Sequence, residues 1–338
     1  MDAENAETLV SGANIPGKHI LDNAEVGGEA GVYDNAKVSD RAFVYGGAKV
    51  WGNAHVSGNA EVSGDASVSG DAKVFADAKV YGNAKVYDNA KVSGHVFVTG
   101  EAEVYDDAEV CGKAEVWGQA KVSVNAKVYG NAKVFGNAYV NGYAEVYGKA
   151  KVWGQAYVND NAYVNDNAKV YQNAVVEGDA HVYGKATLSG RAKVYGRAKV
   201  YDNSYLAGDV EVYGNAKVFG KAKLSGLAFV TDDAMVYDDA EVGGNAIVYG
   251  KAKVYGNADV YGDAHVLANA WVCDDAEVYD NAVVYGDAKV SGGAKVFGKA
   301  TVSGTANISG DAVILGGNWN GSEGPITSGK WLAPGVPG

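Results

Sequence analysis

The chain has 338 residues, of which 47 are glycine and only 4 proline, and its formal net charge is −12. That acidic balance excludes nucleic acid and anionic membrane as main partners, since both demand a basic footprint. No apolar run approaches the ~20 residues of a membrane span, and Asp2, Glu4 and Glu7 stand where a secretory leader would be basic and then apolar, so a cytoplasmic protein is expected. In chain order the first predicted element is an N-terminal cap over residues 1–21, with Leu9, Val10, Ile15 and Ile20 gathered around Pro16 and Gly17.

One pattern then governs residues 22–315. Alanine occupies nearly every position divisible by six from Ala24 to Ala312, the exceptions being Val96, Ser204 and Val210. Two residues further on stands an aliphatic residue, from Val26 to Ile314, through 49 hexads without an insertion. A fixed short period over most of a chain is the signature of a solenoid, in which each unit touches only its neighbours. One repeat domain is therefore expected in place of the two that this length would otherwise suggest.

The hexad Ala84-Lys85-Val86-Tyr87-Asp88-Asn89 shows the plan. Under the alternation of a strand, Ala84 and Val86 point inward and Lys85 and Tyr87 outward. Asp88-Asn89, like the Gly-Asn and Gly-Asp pairs elsewhere, suits a corner, because Gly, Asn and Asp tolerate the left-handed backbone of a tight turn. A helix is excluded: apolar residues at i and i+2 scatter around a 3.6-residue turn, and a glycine in each hexad destabilises it. Leu188, Leu206 and Leu224 replace the inward valine at every third hexad, which predicts three hexads per coil. The fold expected is all-β, a parallel β-helix of about 16 coils, roughly 80 Å long at the usual strand spacing.

After Leu315 the register stops. Residues 316–338 place Trp319, Ile326, Trp331 and Leu332 among glycine and proline and are expected to fold back as a C-terminal cap, with a tail from Pro334.

An aliphatic residue followed four positions later by a small one, repeated every six, resembles the hexapeptide-repeat superfamily, the bacterial transferase hexapeptide proteins. The resemblance covers about residues 22–315. It implies a single-stranded left-handed parallel β-helix, a triangular-prism solenoid, and it is the resemblance that supplies the handedness. It further implies a trimeric acyltransferase as the alternative function. The aromatic residues that follow the aliphatic position here, such as Tyr81, Tyr87 and Trp117, depart from the family's small or acidic ones.

Catalysis would need a histidine as general base and a loop shaping an acceptor pocket. His55, His181 and His265 fall in the outward column shared with Lys and Glu, His95 falls in a corner, and His19 precedes the repeats. With no inserted loop, concave pockets are expected only between subunits. No catalytic residue, cofactor, metal or small-molecule ligand is therefore assigned, and the chain is expected not to be an enzyme. Asp106-Asp107, Asp232-Asp233 and Asp238-Asp239 are taken as solvated turns, since the nine-residue calcium repeat is absent. Cys111 and Cys273 share one outward column nine coils apart, about 43 Å, which excludes a disulfide and leaves two incidental surface thiols.

The outer walls carry the remaining information. One has a central column of Lys37, Lys73, Lys91, Lys127, Lys199, Lys217, Lys253 and Lys289 and is expected to be a solvated face. The wall of Lys49, Lys85 and Lys121 turns apolar at Tyr139, Tyr157 and Val175, and again at Phe229, Ile247, His265 and Val283. Those seven residues are the candidate interface of a homo-oligomer or for a partner. A structural or interaction protein is expected; ice binding is a third reading, disfavoured because threonine ladders are missing.

Overall fold

The computed structural model describes residues 19–332, and the chain divides into two compact units between Asn161 and Ala162. In the first unit the rungs Glu25–Val26, Gly31–Val32 and Lys37–Val38 open three parallel sheets. Each rung pairs with the third rung after it: Glu25 faces Phe43, Gly31 faces Lys49 and Lys37 faces His55. We call these the first, second and third walls. They end in this unit at Lys151–Val152, Tyr157–Val158 and Glu145–Val146. The second unit is built in the same way. Its third, first and second walls begin at Tyr163–Val164, Lys169–Val170 and Val175–Val176, and their facing residues are again three hexads apart.

Each unit is thus an all-β parallel solenoid of triangular section. Among the described residues no helix is long and apolar enough to cross a membrane. Alternation along each rung sends alanine and valine into the prism, where Ala84 and Val86 are fully buried. Leu188 faces Leu206, and Leu206 faces Leu224, so the three stack on the first wall as their spacing predicts. Outward-facing residues carry the inter-coil hydrogen bonds: the N–H groups of Lys85, Tyr87 and Asn89 donate to the carbonyls of Ala102, Val104 and Asp106 at 2.8, 3.0 and 2.9 Å. The side chains outside therefore decorate a lattice that they do not create.

The corners explain the fifth residue of the hexad. Gly226 has φ +69°, and a Cβ there would stand 2.7 Å from the carbonyl oxygen of Gly244 in the next coil. Where aspartate takes this position it adopts the same left-handed backbone, with φ 57° at Asp34 and 62° at Asp40. Its carboxylate then accepts the backbone N–H of the corresponding corner one coil on, Gly52 to Asp34 at 3.1 Å and Gly58 to Asp40 at 2.9 Å. A local strain is thereby offset by a charge-assisted hydrogen bond.

The three departures from alanine have physical accounts. The bulkier Val96 and Val210 follow corners opened to φ 84° at Gly94 and 91° at Gly208. Ser204 fits the alanine site, fully buried, but its hydroxyl has no hydrogen-bond partner.

The ends differ from expectation in detail. Regular pairing starts inside the segment assigned to the N-terminal cap, with Ile20 bridged to Val38; the rest of that cap, residues 1–18, lies outside the described residues, as does the tail from Pro334. At the other end the chain does not fold back. It winds on through one irregular coil in which Val302 pairs with Trp319, Ile308 with Ile326 and Ile314 with Trp331. The first and last of those steps fall just short of three full hexads, and the register slips between Ile314 and Gly316. Trp319 and Ile326 are buried against the last regular coil, and the Trp319 indole donates to the Gly316 carbonyl at 2.9 Å. Large side chains thus close a core that valine alone would leave open.

Candidate interaction surfaces

The seven apolar candidates lie in the central column of the second wall and are half-buried. In the first unit Tyr139 faces Tyr157, ring centroids 5.4 Å apart. In the second unit Val175 faces Lys193, which faces Glu211, so it is separated from the longer run. Phe229, Ile247, His265 and Val283 then occupy four successive rungs. Part of the exposure expected of these residues is removed by stacking on one another, and what remains is a narrow apolar strip.

A second outward column, the residue after the buried valine, is where the aromatic rings gather. On the third wall of the second unit Tyr183, Tyr201, Phe219, Tyr237 and Tyr255 form one ladder with centroids 4.8–4.9 Å apart and planes within 2°. Trp117, Phe135 and Trp153 do the same on the first wall of the first unit, at 4.3 and 5.5 Å. Each such contact adds about 0.5–1.5 kcal/mol beyond area burial. Burial in these stacks also raises the hydroxyl pKa values of Tyr183, Tyr201 and Tyr237, and Tyr87 is pushed up to about 12, chiefly by burial. The sequence showed aromatics at this position and their three-hexad spacing was available as a signal, yet the ladders were not anticipated.

The second wall of the first unit is polar and hollowed. A shallow, open groove of ≈ 730 Å³ is lined by Lys85, Glu103, Lys121, Tyr105, Gln119 and Tyr139 among others, so a concavity forms within one chain, contrary to expectation. Glu103 sits between Lys85 at 3.3 Å and Lys121 at 3.0 Å. Burial alone would raise its pKa, but the hydrogen bonds from Lys121 and Lys85 bring it below the ordinary glutamate value. The Tyr105 and Tyr139 hydroxyls are 3.0 Å apart, and the Ser123 hydroxyl donates to Tyr139 at 3.0 Å. These groups are occupied with one another, and no histidine is among the lining residues.

The aspartate pairs are not merely solvated turns. Asp106 accepts the Val124 N–H at 3.1 Å and Asp107 accepts the Asn89 amide at 3.1 Å; Asp232 accepts the Gly250 N–H at 3.2 Å and Asp233 the Asn215 amide at 3.1 Å. Cys273 is not a surface thiol: it is buried, and burial raises its pKa, while Cys111 is half-buried; both are free. Cys273 sits in the ladder column directly after Tyr255, and its thiol, together with burial, holds the Tyr255 hydroxyl pKa above the ordinary tyrosine value.

The histidines do not converge. His55 lies 3.0 Å from the Ser39 hydroxyl, His95 is 3.6 Å from Asp77, and His181 stacks on Tyr163 at 4.7 Å. Burial lowers the His181 pKa, with Lys199 adding to the effect. No protein-family model matches the chain, and no curated protein matches it.

Proposed function

We propose that the chain is a structural and interaction protein whose outer walls are its working surface, and that it self-associates through the second wall. The observation that carries this is the run Phe229, Ile247, His265 and Val283, four successive rungs without a salt-bridge partner among the described residues, in a column where Lys85, Glu103 and Lys121, and again Lys193 and Glu211, are ion-paired. A flat apolar strip on a rigid lattice is suited to a partner of the same shape, because neither side loses backbone freedom on docking. The six-residue period supports kinship with the hexapeptide-repeat superfamily, and through it a left-handed coil; within that superfamily the role proposed is non-catalytic. Changing Phe229→Lys together with Ile247→Lys and measuring mass in solution tests the reading. Loss of the oligomer is expected, and an unchanged mass overturns self-association through this wall.

A further inference from the structure

The third wall of the second unit carries the lysine column expected of it, and its charge stands against that of the acidic chain. Residues 185–223, which run over all three walls, carry eight basic side chains and three acidic ones, against 29 and 41 in the whole sequence, and of the eight Arg191, Lys193, Lys221 and Lys223 are each paired with a carboxylate. In the wall's central column His181 faces Lys199, and Lys199 faces Lys217. The column continues through Met235, Lys253, Trp271 and Lys289, with no carboxylate from His181 onward. Lys185 and Arg197 stand at the two edges of the same coils. Like charges on facing residues of neighbouring strands are destabilising. Where Lys73 faces Lys91 and Lys133 faces Lys151, one lysine of each pair is tied to a glutamate, Lys91 to Glu109 at 2.9 Å and Lys133 to Glu115 at 2.7 Å. Among the described residues Lys199 and Lys217 have no such partner, and neither do Lys185 and Arg197.

Beside these cations run Tyr183 and Tyr201, whose hydroxyls are raised by burial, stay protonated and form no hydrogen bond within the described chain. Of the corner carboxylates beside it, Asp202 is engaged by the Gly220 N–H at 3.2 Å and Asp166 by the Gly184 N–H at 3.1 Å, and Asp179 acts on His181 from the coil before Arg197. The face is therefore a set of uncommitted donors in rows, stacked at about the 4.8 Å spacing of the rungs. We propose that this wall binds a linear acidic polysaccharide, with Lys199 and Lys217 on its carboxylates and Lys185 and Arg197 at the margins.

The surface selects this occupant by charge and by what its rings expose. A polyuronate presents one carboxylate per sugar and advances by about one rung per ring, and the flexible lysine stems can reach carboxylates that the twist of the chain turns to either side. Tyrosine hydroxyls and the neighbouring Asn203 amide are suited to sugar hydroxyls. Trp271, in the central column, stands edge-on to the last ladder ring, its plane 72° from that of Tyr255, and with 40% exposure under the Lys253 ammonium it gives a ring edge and face to a pyranose. Single-stranded nucleic acid needs open aromatic faces for its bases, and the ladder covers its own. A duplex needs a helix or ribbon to enter a groove, and this wall is flat.

The inference concerns a different wall from the one proposed for self-association and does not depend on it. The test is affinity electrophoresis of the full chain in polygalacturonate, with neutral amylose and an oligothymidylate as comparison ligands, at low and at physiological salt. Retardation by polygalacturonate that weakens with salt is expected, with little by amylose. The variant Lys199→Gln/Lys217→Gln/Arg197→Gln should weaken it roughly tenfold, three exposed ion pairs being lost. The variant Lys37→Gln/Lys49→Gln/Lys127→Gln, which removes the same charge elsewhere, should leave it within about twofold. Melting curves confirm that both variants are folded. Absence of retardation, equal loss in both variants, equal retardation by amylose, or tighter binding of the oligothymidylate overturns the proposal.

Discussion

The interior of each unit and its outer walls are made from alternate residues of the same hexads, and they follow opposite rules. Inside, alanine and valine recur with few departures, and each departure leaves a mark, whether an opened corner before Val96 and Val210 or an unpartnered hydroxyl at Ser204. Outside, one column passes from lysine through tyrosine to isoleucine while the rungs beneath keep their pairing. The difference teaches that the lattice is held by buried small side chains and inter-coil backbone hydrogen bonds, which leaves the surface free to acquire separate faces for separate partners.

That contrast can be broken most severely from within. Val218→Asp places a carboxylate in a fully buried position, and a loss of more than about 4 kcal/mol in denaturant unfolding, or failure to fold, is expected. Gly226→Ala meets both a left-handed backbone and the Gly244 carbonyl; urea unfolding should show a loss of about 2 kcal/mol. Ser204→Ala restores the repeat and removes the orphaned hydroxyl, so a gain of about 1 kcal/mol is expected by the same method.

The smallest effects should come from the walls, and pH separates two of their neighbours. Asp259 lies between Glu241 and Glu277 on successive rungs, and burial followed by those two charges raises its pKa. A raised carboxyl opposes folding where it is ionised and ceases to do so as pH falls through its folded value. Asp259→Asn should therefore add a few tenths of a kcal/mol at neutral pH, with the gain vanishing on acidification. Glu241 behaves in the opposite sense: hydrogen bonds from Lys223, then Tyr261, lower its pKa below the ordinary 4.5. Its contribution is present above that value and lost as pH falls through the lowered one.

Much of the lattice was legible because a strict period leaves little choice: Ala84 and Val86 declare the inward face, and the three stacked leucines declare the coil length. What escaped were relations between coils that depend on side-chain direction. Asp106 looked like a turn residue, since nothing in a single hexad says that its carboxylate reaches the amide of Val124 one coil on. The tyrosines after each valine looked like strand formers, and only their rotamers make them a ladder. The last coil was hidden for another reason: Trp319 and Trp331 arrive one place early, and a search for a period of six passes over them.

The central claim is that association belongs to the walls and folding to the interior. Light scattering and thermal unfolding of Phe229→Lys/Ile247→Lys, beside the unaltered protein, test it together. The account predicts a fall to the mass of a single chain with unfolding shifted by no more than about 1 kcal/mol. An unchanged mass, or a smaller mass obtained only because the chain has unfolded, would contradict it.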